Sequence, residues 1–114
     1  LKPEEMTQQA MGEASELVRQ RVELARDRAQ QRFQNDSPRC NAEMQSRHLK
    51  QWCKLDDETR TLLENAIRKL GLSARGTDRI LKVSRTIADL AGEAQLQLTH
   101  VAEAIQYRTI DRMQ

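Results

Sequence analysis

The segment LDDETRTLLENAIRKLG, residues 55–71, satisfies every local rule for an amphipathic α-helix, and the rest of the chain must supply what such a helix packs against. Asp56 stands at the N-cap and Asp57 and Glu58 follow in the first turn. Arg68 and Lys69 close the last turn and Gly71 takes the C′ position. Leu62, Leu63, Ala66, Ile67 and Leu70 fall on one stripe at helical spacing. Strand signals are scarce: four Gly, two Pro and one each of Phe, Trp and Tyr in 114 residues leave little turn punctuation and little of the aromatic content that sheets favour. The expected fold is all-α, a small helical bundle of about four to five helices forming one domain.

Apolar periodicity places the other elements. Ala14, Val18, Val22, Ala25, Ala29 and Phe33, widened by Leu17 and Leu24, mark a first helix over 14–33. Residues 1–12 ahead of it read as a flexible N-terminal segment, which leaves 13–114 as the helical domain. NDSPRCN (35–41) reads as a loop, and SRHLKQWC as a short helix with Leu49, Trp52 and Cys53 turned inward. A further helix is expected from about Ala74 to Ala91, stopped by Gly92, with Ile80, Val83, Ile87 and Leu90 as its core face. After LQLT a last helix is expected, with Thr99 as its cap and Val101, Ala102, Ile105 and Ile110 on its apolar side.

The helix that opens at GLSARGTDRILK breaks the charge rule its predecessor obeys. Ser73 is a sound N-cap, yet the first turn holds Arg75, a cation at the positive end of the helix dipole, and Gly76, a poor helix former. An arginine there is explained either by a carboxylate reached nearby, Glu64 or Asp78, or by a bound anion. Free N–H groups at a helix start and the guanidinium fork both suit phosphate oxygens, and Gly76 permits a close approach. At about 100° per residue, Arg75, Arg79 and Lys82 share one edge beside the core face, as a phosphate-contacting strip or as solvated charges.

Other chemistries find less support. Charged residues make up 32% of the chain but nearly cancel to a formal +2, so a nucleic-acid contact would depend on a local patch. The candidate patch is the outward face of the first helix, through Arg19, Arg26, Arg28 and Arg32, with Arg21 beside them and Glu23 and Asp27 interrupting. Cys40, His48, Cys53 and His100 lack the paired spacing of a structural zinc site, so no metal is expected, and reduced, buried thiols with ordinary surface histidines are the simpler account. No catalytic triad, carboxylate pair or phosphate loop is present, so the chain is not expected to catalyse by itself. No apolar run is long enough for a membrane span, and a cytoplasmic location is expected. The chain opens on Leu1, as an excised domain of a larger protein would.

The stretches VRQRVELARDRAQQRF, NAEM, CKLDDETRTLLENAIRKLGLSARGTDRILKVSRTIADLAG and HVAEAIQYRTIDR together span most of residues 17–112. They resemble the C-terminal domain of magnesium-chelatase-like AAA+ ATPases of the ComM/YifB type. The resemblance implies an α-helical lid behind a P-loop core whose Walker motifs would precede Leu1. It makes Arg75 a sensor-2 arginine reaching the γ-phosphate of ATP, in its own subunit or its neighbour's, with Gly76 and Arg79 beside it. ATP and Mg²⁺ are then cofactors of the full-length protein, bound weakly or not at all by this fragment. The implied partners are the protein's own N-terminal AAA+ core, further copies in a ring, expected to be a hexamer, and DNA, because the ComM type resembles branch-migration helicases more than tetrapyrrole enzymes. The alternative reading is a helical nucleic-acid-binding or protein-interaction module without a nucleotide role.

Overall fold

The computed structural model describes the backbone of residues 3–34 and 40–113, and side chains at 12, 14–34 and 40–109. Its elements are α1 (Pro3–Arg32), a 3₁₀ turn (Asn41–Glu43), α2 (Ser46–Trp52), α3 (Asp57–Leu70), α4 (Ala74–Ala91) and α5 (Leu98–Met113), with no strand among the described residues. The all-α expectation holds. Part of the NDSPRCN loop, residues 35–39, and the side chain of Ile110 lie outside the described residues.

The caps of α3 are those expected. The Asp56 carboxylate accepts from Thr59 N at 2.8 Å, and Gly71 closes the helix in the left-handed conformation at φ 64°. Hydrogen bonding from Thr59 also holds the Asp56 carboxyl below its ordinary pKa. α4 runs between Ser73 and a left-handed Gly92, as its sequence indicates.

α4 is the central element, packing against α1, the 3₁₀ turn, α2 and α5, while α3 packs on α5. Two apolar clusters flank it. Phe33, Met44, Leu49, Cys53, Ala88 and Leu96 form one, with Trp52 half-buried against it. Leu63, Ile80, Val101 and Ala104 form the other, and Leu55 and Leu81 touch both. A helix clasped from two sides needs more than one buried stripe, and this corrects the expected core face of α4. Ile80 is buried and Ile87 half-buried, but Val83 and Leu90 are exposed, and Gly76, Ser84, Arg85, Ala88 and Asp89 are buried in their place. At about 100° per residue the buried residues sweep roughly 220° around the axis, which leaves a single outer strip.

α1 also departs from expectation. It starts at Pro3, so helical backbone takes in residues 3–12, set apart above as a flexible segment. Thirty residues make a rod of about 45 Å, too long for α4 to cover. Among its described side chains only those of the last turns dock, through Ala25, Ala29 and the flanking Phe33; Ala14, Leu17, Val18, Val22 and Leu24, expected on the buried stripe, are exposed. α5 begins at Leu98, one residue ahead of the expected cap Thr99. There the backbone N–H of Gln97 donates to Nδ1 of His100 at 3.0 Å. Gln45 and His48 repeat this at the start of α2, at 2.9 Å. Both histidines are therefore local helix-start acceptors, and His100 is buried instead of lying on the surface.

Candidate functional site

The outer strip of α4 is where the expected anion-binding residues fall. Arg75, Asp78, Arg79, Lys82 and Val83 line an open cleft of about 620 Å³, closed on one side by Ala42 of the 3₁₀ turn. Arg75 and Arg79 are exposed and Lys82 is half-buried. Among the described residues Arg75 makes no ion pair with Glu64, Asp78 or any other carboxylate, so local neutralisation does not account for it. The first turn of α4 carries no acid, and the N-cap Ser73 Oγ accepts only from Gly76 N, at 3.1 Å. The amides of Ala74 and Arg75 have no intrahelical acceptor, as at any helix start. The cleft thus gathers three cations and the open end of a helix dipole around a single carboxylate, Asp78.

Gly76 faces α5 and does not line the cleft that holds Arg75. It is buried, and a methyl group built on it would lie 3.5 Å from Ser73 Oγ and 3.7 Å from both Leu72 Cδ2 and Nη2 of Arg108. The guanidinium of an α5 residue thus approaches the first turn of α4 at a distance that would still accommodate a methyl group. Sequence reasoning missed Arg108; the only trace of it is its place in the QYRTIDR stretch. Arg108, Tyr107 and Ala104 of α5 enclose a pocket of about 160 Å³ with Arg79, Ile80 and Val83, so Arg79 belongs to both cavities.

The far end of α4 is closed by charge. Arg28 donates to the carbonyl of Asp89 at 2.9 Å, a cation at the negative end of the helix. Arg32 grips both carboxylate oxygens of Asp89, at 2.6 and 3.0 Å, and Asn41 Nδ2 donates to the same carboxylate at 2.9 Å. Arg85 pairs with Asp89 at 3.2 Å and donates to the carbonyls of Trp52, Glu93 and Ala94. Burial pushes the Asp89 pKa upward, but hydrogen bonds from Arg32 and Asn41 and the charges of Arg32 and Arg85 outweigh it, so the carboxyl is held below its ordinary value.

These contacts correct the proposed basic face of α1. Arg28 and Arg32 turn toward α4, because Asp89 and a helix C-terminus offer acceptors there, while Arg19 and Arg26 stay exposed and Arg19 pairs with Glu16. The four do not form one patch. Cys40 is exposed, against the expectation of two buried thiols; Cys53 is buried, which pushes its pKa up to about 11. Among the described residues no group of three or more His, Cys, Asp or Glu could hold a metal ion, and no helix is long and apolar enough to cross a membrane.

Comparison with known proteins places this architecture. The family described as magnesium chelatase, subunit ChlI C-terminal, matches residues 12–108, nearly the whole chain. The chain belongs to that family. The magnesium chelatase C-terminal match is joined by 45% identity over 102 residues to the competence protein ComM of Haemophilus influenzae. The protein YifB of Escherichia coli is 44% identical over 102 residues, and an uncharacterized protein of Mycobacterium tuberculosis is 38% identical over 99. This chain is therefore a magnesium chelatase C-terminal domain of the ComM/YifB type. The alignments cover 90% of the chain for the first two and 87% for the third, but only about a fifth of each relative: 19%, 19% and 20%. No solved structure matches it.

Proposed function

We propose that the chain is the helical lid of an ATP-hydrolysing AAA+ ring protein and that Arg75 supplies its sensor-2 contact to the γ-phosphate. One observation carries this reading. Arg75 stands in the first turn of α4 without a partner among the described residues, facing a cleft shared with Arg79 and Lys82, where the dipole and the cations together favour a multiply charged anion. We take that anion to be ATP, a reading in keeping with the resemblance to AAA+ ATPases described above.

The residues here fit the phosphate part of the nucleotide. They do not fit Mg²⁺, since Asp78 is the only carboxylate among the described residues of the cleft, so that ion would be held by the core domain. When bound, ATP supplies the phosphoryl group to be transferred. The chain's own residues bind and orient its terminal phosphate and neutralise charge there. α4 then ties this contact to the rest of the lid, because its other end is fixed to α1 through Arg28, Arg32 and Asp89. A shift at Arg75 would carry α1 with it, which suits a lid that couples hydrolysis to movement between subunits.

The relative named as a competence protein favours DNA as the substrate of the whole ring, with branch migration as the activity. The reading of the isolated domain as a DNA-binding module is weaker, because two of its four arginines are committed to Asp89. Replacing Arg75 by Ala in the full-length protein is expected to lower ATP turnover at least about tenfold, the worth of one lost charge-assisted contact, without loss of folding. Turnover equal to wild type would overturn the reading.

A further inference from the structure

We propose that Arg108 of α5 is a second anion-contacting guanidinium of the Arg75 site, acting on the same polyphosphate from across the first turn of α4. The proposal rests on the lid reading for the identity of the anion, but its geometry is independent of it.

The molecule provides its own standard for what a structural arginine looks like. Arg28, Arg32 and Arg85 are each at least partly buried, and each donates to carbonyl or carboxylate oxygens at 2.6–3.2 Å. Arg108 is half-buried and its side chain makes no hydrogen bond or ion pair among the described residues; its Nε is shielded from solvent without an acceptor, as is Nε of Arg85, but the Nη atoms of Arg85 meet oxygens of Trp52, Asp89, Glu93 and Ala94. A buried guanidinium Nε without an acceptor is costly, and at Arg108, unlike Arg85, no other protein oxygen among the described residues offsets that cost.

Its surroundings increase that cost. Nη2 of Arg108 lies against Gly76, in the first turn of a helix whose dipole already disfavours cations and which has no acid of its own there. Arg79 shares the smaller pocket with Arg108 and the larger cleft with Arg75 and Lys82, so four cations from two helices line two cavities that share Arg79. Asp78, on the wall of the larger cleft, is the one carboxylate among the described residues that line either cavity. The arrangement is unfavourable alone and favourable around an anion bearing several charges, which singles out a polyphosphate over a single carboxylate. Gly76 leaves this approach unobstructed, and a methyl group there would touch both the Ser73 cap, at 3.5 Å, and the α5 guanidinium, at 3.7 Å.

The test uses the full-length ATPase carrying Arg108→Gln, Arg108→Lys or Arg75→Ala, read by ATP turnover, the KM for ATP, and the rise in Tm caused by inorganic tripolyphosphate. Arg108→Gln is expected to lower kcat/KM about tenfold or more and to abolish the tripolyphosphate shift. Arg108→Lys is expected to recover part of both, with the ligand-free Tm of each variant unchanged. Wild-type kinetics in both Arg108 variants would overturn the proposal even where Arg75→Ala is impaired. A loss in both variants that follows a lowered ligand-free Tm would also overturn it, by assigning Arg108 to packing. If Arg75→Ala leaves turnover intact while the tripolyphosphate shift still depends on Arg108, the lid reading fails and the anion site stands.

Discussion

Arg28, Arg32 and Arg85 are matched by oxygens the fold provides, whereas Arg75 and Arg108 meet none among the described residues, and this difference separates the scaffold from the proposed site. The distinction is partly legible in the sequence. At about 100° per residue, Arg28 and Arg32 lie nearly opposite Arg19 and Arg26, and Arg32 falls on the same stripe as Ala25, Ala29 and Phe33. Grouping all four as one outward face overlooked that angle, because arginine was equated with the surface. Arg75 was recognisable from the broken charge rule at its helix start. Arg108 was not, since it reaches Gly76 from another helix. At this scale the two thiols should differ sharply: with a thiol reagent near neutral pH, Cys40 is expected to react promptly, and Cys53, buried with its pKa pushed up to about 11, only on unfolding. Equal rates for the two would show that the Cys53 environment is open. Asp89→Asn removes the charge that Arg32 and Arg85 share and is expected to cost about 3–5 kcal/mol of stability, measured by denaturant unfolding.

Individual helices carry their own start and stop signals, which is why α3 and α4 match the sequence so closely. Capping groups lie within a few residues of the backbone they satisfy, as Asp56 does for Thr59 and Ser73 for Gly76. The start of α5 was displaced because a histidine three residues on, rather than a hydroxyl, meets the Gln97 amide. Which side of a helix is buried is a different question, since it depends on how many neighbours surround it. α4 has neighbours on two sides, so polar Ser84, Arg85 and Asp89 are buried while Val83 is not. Its buried carboxylate sets a pH dependence. The Asp89 pKa is lower folded than unfolded, so its contribution to stability is complete above the unfolded value of about 4 and is lost as pH falls through the folded one. Unfolding free energy is expected to decline below about pH 4, and Asp89→Asn to flatten that decline. An equally steep acid limb in the variant would assign the decline to other carboxylates.

Across the whole molecule, the extents of 54 × 38 × 25 Å reflect one helix that outruns its bundle. Val18 is 57% exposed and Phe33 only 8%, although both lie on the same periodic stripe of α1. Val18→Lys is therefore expected to change the stability of this chain by no more than about 0.5 kcal/mol, and Phe33→Ala to lower it by about 3–5 kcal/mol, both by denaturant melts. A large cost at Val18 would mean that its stripe is covered. By itself, the sequence determined the helical class, the extent of α3 and α4 and the cationic edge of α4, because caps, periodicity and dipole complementarity act over one or two turns. Tertiary structure alone decided how far along α1 the bundle reaches, that Asp89 draws Arg28, Arg32 and Arg85 together, and that Arg108 comes beside Gly76. Those outcomes depend on surfaces meeting across long stretches of chain, where burial and pairing, not local spacing, set the energy.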